Sequence, residues 1–446
     1  MTPLFERIAF PRAIGLSGEA VARWYVRTQW VLAFGSLLGF AILCAVILTK
    51  LFFLGSDSAH HYSHVWYVSD QIFHHARLPL HIEYLESGKA LTFPYGVVPY
   101  VVTAVPYTLL GDWAVTAAMI AGVVLYGYAA TRARPALRDP RLLALVYVNT
   151  FLIESIVSFQ FAFIWSCVFF LFCVEAIDKR RWMPAAILAV LAVTTHPVAG
   201  SLAVAAYALY ATIRRPRDVV PLGTAMGLAA LVCLPYLFYA HSTPAVGVTR
   251  VSYIVGTVRY MTRFRGMIVA MPFIVAALAP LLRPLFVPAL LALALILGIR
   301  LYGDHVNTTG LTHSSEPFYG DFIDSPQFDR SLTYRVLEPN DREDGAYQLI
   351  KHGAVLGQEF FNESQFRRWW YSLDMYSCFL GAKNIDVVLY ETAYTAKFNQ
   401  NEQWPLGELM KQGRVRVMYH DPKGRFTAYD VRGAKMPGAR ISDCGF

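Results

Sequence analysis

The chain has few charged residues for its length. Only 16% of its 446 residues are charged, compared with about 25% in an average soluble domain. The shortage is concentrated in the first two thirds of the chain, where hydrophobic residues dominate. A soluble enzyme of ordinary composition is therefore excluded, and the sequence predicts a polytopic α-helical membrane protein with a polar C-terminal tail.

Familiar cysteine and nucleotide-binding motifs are also missing. None of the six cysteines stands in a CxxC or Cys/His metal spacing, and four lie in apolar segments as small hydrophobic residues. Cys378 and Cys444 fall in the polar tail. They could form a disulfide if the tail lies outside the cytoplasm, and the sequence does not decide between a disulfide and two free thiols. The tail carries no Walker, Rossmann or serine-hydrolase motif.

The formal net charge of +8 does not indicate a nucleic-acid partner. The basic residues stand in short clusters beside apolar segments, and the preference for positive charge in cytoplasmic loops explains this distribution without nucleic acid. Membrane lipids are the expected surroundings.

Ten apolar segments account for most of residues 29–301, the predicted transmembrane domain. The first, residues 30–54, is too long for a signal-peptide core and lacks a cleavage pattern, so we expect a retained helix preceded by a cytoplasmic or interfacial segment at 1–28. Several later segments are shorter than the roughly 20 residues of a straight span, so nine or ten segments are predicted. The later segments are 97–110, 114–130, 142–158, 161–177, 184–195, 201–213, 219–239, 267–282 and 285–301.

Basic clusters set the expected orientation. Arginines and lysines at 132–141, 179–181, 214–217 and 283 should all be cytoplasmic. They share that side, with Asp57 and the tail outside, only if one segment between 97 and 130 does not cross. Segment 97–110 is short and contains two prolines, so we predict that it is interfacial or re-entrant.

The first outer loop, residues 55–96, contains the leading candidate site. Asp57, His61 and His64 are spaced i, i+4, i+7 and would share one face of a helix starting here. One carboxylate and two imidazoles could hold a divalent cation such as Mg²⁺ or Mn²⁺, or a histidine could orient Asp57 as a base. The alternative is an interfacial helix whose histidines are merely solvated.

Other polar residues should lie on the same outer side. Glu154 stands among apolar residues, where an unpaired carboxylate is costly, so we place it at the outer edge as a second catalytic candidate or as an interfacial residue. His196 interrupts an apolar run in TTHPVAG and suits either a ligand-binding wall or an ordinary turn. Arginine forks bind phosphate well or simply contact lipid head groups, and the outer loop carries four: Arg250, Arg259, Arg263 and Arg265.

These features together resemble a known superfamily. Asp57 and His61 form a D-x-x-x-H arrangement in an early outer loop, a Pro-aromatic turn follows at 93–95, and residues 195–197 form a T-H-P break before a soluble C-terminal domain. The layout resembles the GT-C superfamily of integral membrane glycosyltransferases. It is also similar to the bacterial 6-pyruvoyl-tetrahydropterin synthase-related membrane proteins and to YfhO-type proteins.

The resemblance implies transfer of a sugar from a polyprenyl-phosphate donor to a glycan, lipid or protein acceptor, with inversion, at the outer face of a bacterial inner membrane. It also implies that Asp57 is the catalytic base or a metal ligand, although the paired acids of some members are absent here. Since a lipid phosphate is already a stable leaving group, one base could suffice, and the outer arginines could stabilise the departing charge.

The tail, residues 302–446, shows alternating helical and strand patterns. Strands are predicted at 333–337, 354–361, 386–391, 415–420 and 426–431, and helices at 346–351, 365–382 and 406–412. This alternation predicts a small extracytoplasmic α/β domain. The sequence DPKGR predicts a hairpin turn in which Gly424 takes a positive φ.

Two other functions remain open from the sequence. A transporter or flippase of lipid-linked glycans would bind its substrate through Asp57 and the arginines without chemistry, but no internal repeat of the kind common in transporters is present. A non-catalytic assembly subunit would use the outer domain to recruit a partner.

Overall fold

The computed structural model describes most of the chain. The described residues are 18–50, 52–54, 58–79, 81–82, 84, 89–90, 96–242, 266–303, 311–313, 318–336, 343–357, 371–391 and 400–444. Asp57 and all four candidate arginines of the outer loop (Arg250, Arg259, Arg263 and Arg265) lie outside these ranges, so their roles stay predictions.

The N-terminal helix is longer than expected at its start and shorter at its end. Helix α1 (Gly18–Lys50) includes part of the segment assigned to the interface. Residues 52–54, predicted as helix, form strand β1 (Phe52–Leu54), which pairs antiparallel with β4 (Leu311–His313). This pairing joins the chain that leaves α1 to the chain that begins the C-terminal region.

In the described residues, three helices and a short hairpin follow. Helix α2 (Ser58–Phe73) confirms that the candidate loop is helical, and β2 (His81–Ile82) pairs with β3 (Lys89–Ala90). Helix α3 (Val98–Leu110) is separated from α4 (Asp112–Ala133) by Gly111 alone.

Nine helices continue the apolar region in the part of the chain that the structure describes. They are α5 (Pro140–Tyr147), α6 (Thr150–Val157), α7 (Phe161–Asp178), α8 (Trp182–Thr195), α9 (Pro197–Arg214), α10 (Val219–Ser242), α11 (Gly266–Ala277), α12 (Ala279–Leu282) and α13 (Phe286–Gly303). The predicted segment 142–158 is two helices bent by 48°. The bend occurs because Asn149 starts a new helix, its side chain accepting a hydrogen bond from the Phe151 amide at 3.0 Å.

This architecture is that of an integral membrane protein. Within the described residues, four helices are long and apolar enough to cross a membrane, or five if the bent pair is one span. Large apolar side chains point away from the protein, and Leu231 and Leu295 are 64% and 65% exposed. A surface of this kind is stable in contact with lipid.

The predicted cytoplasmic clusters meet at one end of the helical bundle. Arg134 and Arg215 both bind Asp178 at 2.9 Å, and Arg283 binds Asp139 at 3.0 Å. We call this the basic end. The opposite end, which contains Asp112 and Thr195 and is covered by the C-terminal region, we call the capped end.

Helix α3 begins and ends at the capped end. The Gly96 amide, just before α3, donates to the Thr195 carbonyl at 2.8 Å, and Tyr107, near its last residue, donates to Asp112 at 2.9 Å. The structure therefore agrees with the prediction that this segment does not cross the bundle.

The C-terminal region contains the predicted α/β structure. Its sheet has the order β6-β5-β7-β9-β8, with β5 parallel to β6 and β7, and β9 antiparallel to β7 and β8. The strands are β5 (Thr333–Val336), β6 (Val355–Leu356), β7 (Val387–Glu391), β8 (Arg416–His420) and β9 (Phe426–Asp430). Gly424 has φ +68°, as the predicted hairpin requires.

Four helices accompany this sheet within the described residues. They are α14 (Gly320–Ile323), α15 (Glu343–Lys351), α16 (Leu373–Ala382) and α17 (Gln400–Lys411). Residues 371–372 of the predicted helix 365–382 are not helical, and α16 begins at Leu373 because Ser372 caps it, accepting from the Met375 amide at 3.1 Å. Cys378, on α16, is joined by a disulfide to Cys444.

Candidate functional site

Helix α2 is enclosed at the capped end. Every side chain from Ser58 to Val65 is buried, although most of them are polar or aromatic. The segment contains no Gly or Pro and forms an unbroken helix that packs on α3 and is covered by α15. The reading of these histidines as solvated groups on an interfacial helix is therefore wrong for His60, His61 and His64.

His61 and His64 are held by tyrosines from other elements. His61 Nδ1 shares a 3.0 Å hydrogen bond with the Tyr100 hydroxyl of α3. His64 Nδ1 is 2.9 Å from both the His60 carbonyl and the Tyr84 hydroxyl. Because each Nδ1 is engaged, each ring is fixed in orientation and directs Nε2 away from its tyrosine.

The predicted metal site has two of its three candidate ligands in the described part of the chain. His61 and His64 lie one helical turn apart, and hydrogen bonding of Nδ1 is the usual support for a histidine that binds metal through Nε2. No group of three His, Cys, Asp or Glu among the described residues is arranged to hold a metal ion. Completion of such a site would require Asp57, so these residues alone do not show one.

Phe159 closes this cluster under backbone strain. It has φ +51°, and the chain around it forms the hydrogen bonds of a Schellman cap: Phe159 amide to Ile156 carbonyl, and Gln160 amide to Ser155 carbonyl. Glycine usually occupies this position, since a side chain there is strained. The Phe159 ring is fully buried against His61 and Tyr62, with centroids 6.0 and 5.5 Å apart.

His196 ends α8 and begins α9. Its Nδ1 accepts a hydrogen bond from the Ala199 amide at 3.3 Å, and Pro197 occupies the first turn of α9, where its missing N–H costs nothing. The ring is 4% exposed and lies edge-on to Phe163. The capping of α9 therefore accounts for the histidine at position 196. The residue also lies at the same end of the bundle as His61 and His64.

Glu154 lies on α6, one turn before the strained cap. Its backbone carbonyl accepts from the Ser158 amide at 2.8 Å, and its side chain is partly exposed. α6 contacts α11 and α13, whereas the histidines contact residues 159–161. Glu154 therefore lies on the segment that leads into the cap beside His61, and its role stays a prediction.

Several buried hydroxyl and amide groups have no hydrogen-bond partner among the described residues. They belong to residues of α2, α6 and the α8–α9 break, and are Ser58 Oγ, Ser63 Oγ, Asn149 Nδ2, Thr150 Oγ1 and Thr195 Oγ1. Leaving a buried polar group unsatisfied costs about 1–3 kcal/mol. Such groups are characteristic of a polar site that a ligand or water completes.

Asp112 joins the C-terminal region to the bundle over this site, although the sequence did not mark it as a site residue. Asp112, the first residue of α4, accepts hydrogen bonds from Tyr107 and Tyr347, and Lys351 lies 3.4 Å away. Burial, and next the charge of Asp112, raise the pKa of Tyr347 well above its usual value. Tyr347 therefore stays protonated and keeps donating to Asp112.

Comparison with known proteins yields distant structural likeness only. No protein-family model matches the chain, and no curated protein matches it. The crystal structure of ArnT from Cupriavidus metallidurans bound to undecaprenyl phosphate is similar over 90% of this chain and 99% of that chain, with 12% identity and a TM-score of 0.41. A likeness this distant assigns neither family nor function, and neither is taken from it.

The structure brings part of the predicted site together. His61 and His64 share one buried cluster, and His196 lies at the same end. Sequence reasoning missed Tyr100 and Phe159, which nothing in the local sequence distinguishes from ordinary core aromatics. Asp112 could have been predicted as a structural or functional residue, because an acidic side chain between two apolar segments is energetically costly unless it is paired or solvated.

Proposed function

We propose that this protein is a membrane glycosyltransferase that moves a sugar from a polyprenyl-phosphate donor to an acceptor at the capped end. The observation that supports this proposal is the enclosed helix α2, whose three buried histidines follow directly after Asp57 in the chain. A carboxylate that directly precedes a helix with fixed imidazoles, in a protein whose bundle faces lipid, suits proton removal from a hydroxyl next to a lipid-linked donor.

The proposed reaction is a single displacement. The acceptor hydroxyl oxygen bonds to the anomeric carbon while the bond from that carbon to the donor phosphate oxygen breaks, which inverts the configuration. Asp57 accepts the hydroxyl proton, and the electron pair of the broken bond leaves with the polyprenyl phosphate. Because this phosphate is a stable leaving group, the step needs no general acid.

His61 is proposed to orient Asp57, with Tyr100 fixing the imidazole in turn. Glu154 is the second candidate for the base. His196 and the outer-loop arginines (Arg250, Arg259, Arg263 and Arg265) are proposed to bind the donor, since guanidinium groups near the phosphate would stabilise the charge that develops on it. If a divalent cation takes part, Asp57, His61 and His64 are its proposed ligands.

We propose that the capped end faces the outside of a bacterial inner membrane. The basic clusters of the described helical bundle lie at the other end, as expected for the cytoplasmic side. The Cys378–Cys444 disulfide supports the same orientation, because such bonds persist in oxidising compartments. The acceptor would then be an extracytoplasmic glycan, lipid or protein.

The proposal is tested with the purified full-length protein in proteoliposomes, a panel of polyprenyl-phosphate sugars and a crude membrane acceptor. We expect transfer by wild type and a loss of at least about a hundredfold in Asp57→Asn, the scale associated with a general base. Asp70→Asn is a matched control, since Asp70 lies at the other end of α2, where it pairs with exposed His74.

The outcomes separate the candidate roles. Transfer that survives Asp57→Asn would move the base to Glu154, tested with Glu154→Gln. Activity lost on treatment with EDTA and restored by Mg²⁺ or Mn²⁺ would support the cation. Binding of the lipids with no transfer from any donor would contradict the enzyme and favour a transporter.

A further inference from the structure

A cavity lies at the basic end, far from the proposed reaction. It has a volume of about 870 Å³ and is formed where the end of α9 faces α11 and the turn after α4. The end of α9 and the turn after α4 supply a basic rim, and Phe273, Ala276 and Ala277 of α11 supply an apolar wall. The cavity takes no part in the proposed transfer.

The cavity has a surplus of positive charge. Its lining includes three arginines, Arg134, Arg214 and Arg215, and one carboxylate, Asp178. Asp178 is shared, since Arg134 and Arg215 each donate to it at 2.9 Å and the Tyr207 hydroxyl donates at the same distance. Arg215 also lies 3.9 Å from Asp218, which Arg180 binds at 3.0 Å. Together with Arg214, four guanidinium groups therefore stand against two carboxylates, and positive charge remains uncompensated at the cavity.

Arg214 is placed to receive an anion. Its guanidinium carbon lies 5.7 Å from the centre of the Tyr210 ring, and the ion pairs of the described residues use Arg134 and Arg215 but not Arg214. The planar guanidinium group binds phosphate oxygens in pairs. Stacking on Tyr210 restricts the side chain and so reduces the entropy lost when it binds an anion.

The apolar wall indicates that the ligand also has an apolar portion. The Phe273 ring lies beneath Arg134, with 4.6 Å between the guanidinium carbon and the ring centre, and the alanines leave the wall open beyond it. A ligand that fills both parts has a phosphate next to an apolar portion. This combination is that of a phospholipid at the surface of the bilayer.

We propose that this cavity binds the phosphate group of an anionic glycerophospholipid from the leaflet at the basic end. The phosphate contacts Arg214, with Arg134 and Arg215 supplying further positive charge, and the glycerol and first acyl carbons lie along α11. Free inorganic phosphate has the same charged group but lacks the apolar portion, so the two ligands are distinguishable by experiment.

The test uses the full-length protein in neutral detergent, with binding measured by native mass spectrometry and thermal unfolding. The probes are phosphatidylglycerol, phosphatidylcholine and inorganic phosphate. We expect phosphatidylglycerol to bind wild type and raise its Tm, and to bind Arg214→Gln about tenfold more weakly, because one charge-assisted contact is lost. Arg217→Gln, which removes the same charge from an exposed residue outside the cavity lining, should bind like wild type.

A variant without a charge change provides a second test. Ala277→Trp fills the cavity from the exposed side of α11 and should weaken phosphatidylglycerol binding while leaving the arginines in place. Equal weakening by Arg214→Gln and Arg217→Gln would show diffuse attraction and overturn the proposal, as would full binding by Ala277→Trp. Inorganic phosphate binding as tightly as phosphatidylglycerol would support an anion site but overturn its assignment to lipid.

Discussion

At the residue scale, Phe159 shows how this protein places an aromatic ring beside a candidate catalytic group. A Schellman cap needs one residue with positive φ, and a phenylalanine there has a conformational cost that glycine avoids. The ring contacts His61, Tyr62 and Phe161 and fills the space beneath α2. The packing of the Phe159 ring thus offsets the cost of its strained backbone, and such strain is common at functional positions.

Two substitutions separate strain from packing at Phe159. Phe159→Ala removes the ring and keeps the strained backbone, so we expect a loss of about 3–5 kcal/mol in unfolding free energy. Phe159→Gly removes the ring and relieves the strain, and it should be more stable than the alanine variant by roughly 1 kcal/mol. Thermal unfolding of both variants in detergent measures the difference. An alanine variant more stable than the glycine variant would show that the backbone is not strained there.

At the element scale, the capped end depends on close approach between α3 and the α8–α9 break. Gly96 donates to the Thr195 carbonyl, and a Cβ at this position would lie 1.6 Å from the Thr194 carbonyl oxygen. No side chain fits there without movement of one of the two backbones. The turn before α3 therefore fixes Tyr100, and through it His61, relative to His196.

Gly96→Ala should displace α3 from α8. We expect a loss of stability of about 1–3 kcal/mol from overpacking, together with loss of transfer activity as Tyr100 moves from His61. Gly227→Ala on α10 is a suitable control, because nothing lies within 4 Å of its added Cβ; it should be neutral or slightly stabilising. Thermal unfolding and the transfer assay measure the two effects. A Gly96→Ala variant with wild-type stability would contradict the close contact.

At the scale of the whole molecule, the C-terminal region covers the capped end through contacts distant in sequence. Asp112 binds Tyr347, β1 pairs with β4, and the Leu356 amide donates to the Tyr84 carbonyl at 2.9 Å. Buried residues of the bundle and of this region form one continuous hydrophobic core. The C-terminal region therefore packs against the bundle and helps to position α2.

The C-terminal region should be sensitive to acid. The hydrogen bond from Arg425 lowers the pKa of Asp421, and that from Arg432 lowers the pKa of Asp430. A carboxylate with a lowered pKa in the folded state stabilises the protein above its ordinary pKa of about 4, and this contribution is lost as the pH falls through the folded-state value. We expect unfolding or protease cleavage of this region to increase below about pH 4.

Asp421→Asn checks the assignment. The variant lacks the charged pair with Arg425, so it should be less stable than wild type at pH 7 and should lose less further stability between about pH 4 and pH 2. Thermal unfolding across this range compares the two proteins. Parallel pH profiles would show that Asp421 does not contribute to the acid sensitivity.

Much of the architecture was predictable because hydrophobic patterning is local. Apolar segments and the alternation of the C-terminal strands follow from composition and period, and basic clusters identified one end of the bundle. The hairpin with Gly424 and the start of α2 after Asp57 could likewise be predicted from the sequence. Segment ends were less accurate, as α1 and α16 show, since caps such as Ser372 determine them and several residues fit that role.

The sequence by itself determined that this is a helical membrane protein with an α/β C-terminal region, and that His61, His64 and His196 are candidate site residues. Only the tertiary structure decided which groups meet. Tyr100 reaches His61 from α3, Phe159 reaches it from a strained cap, and Tyr347 reaches Asp112 across 235 positions. The physical reason is that burial and hydrogen bonding depend on proximity in space, whereas a sequence pattern reports only the neighbours along the chain.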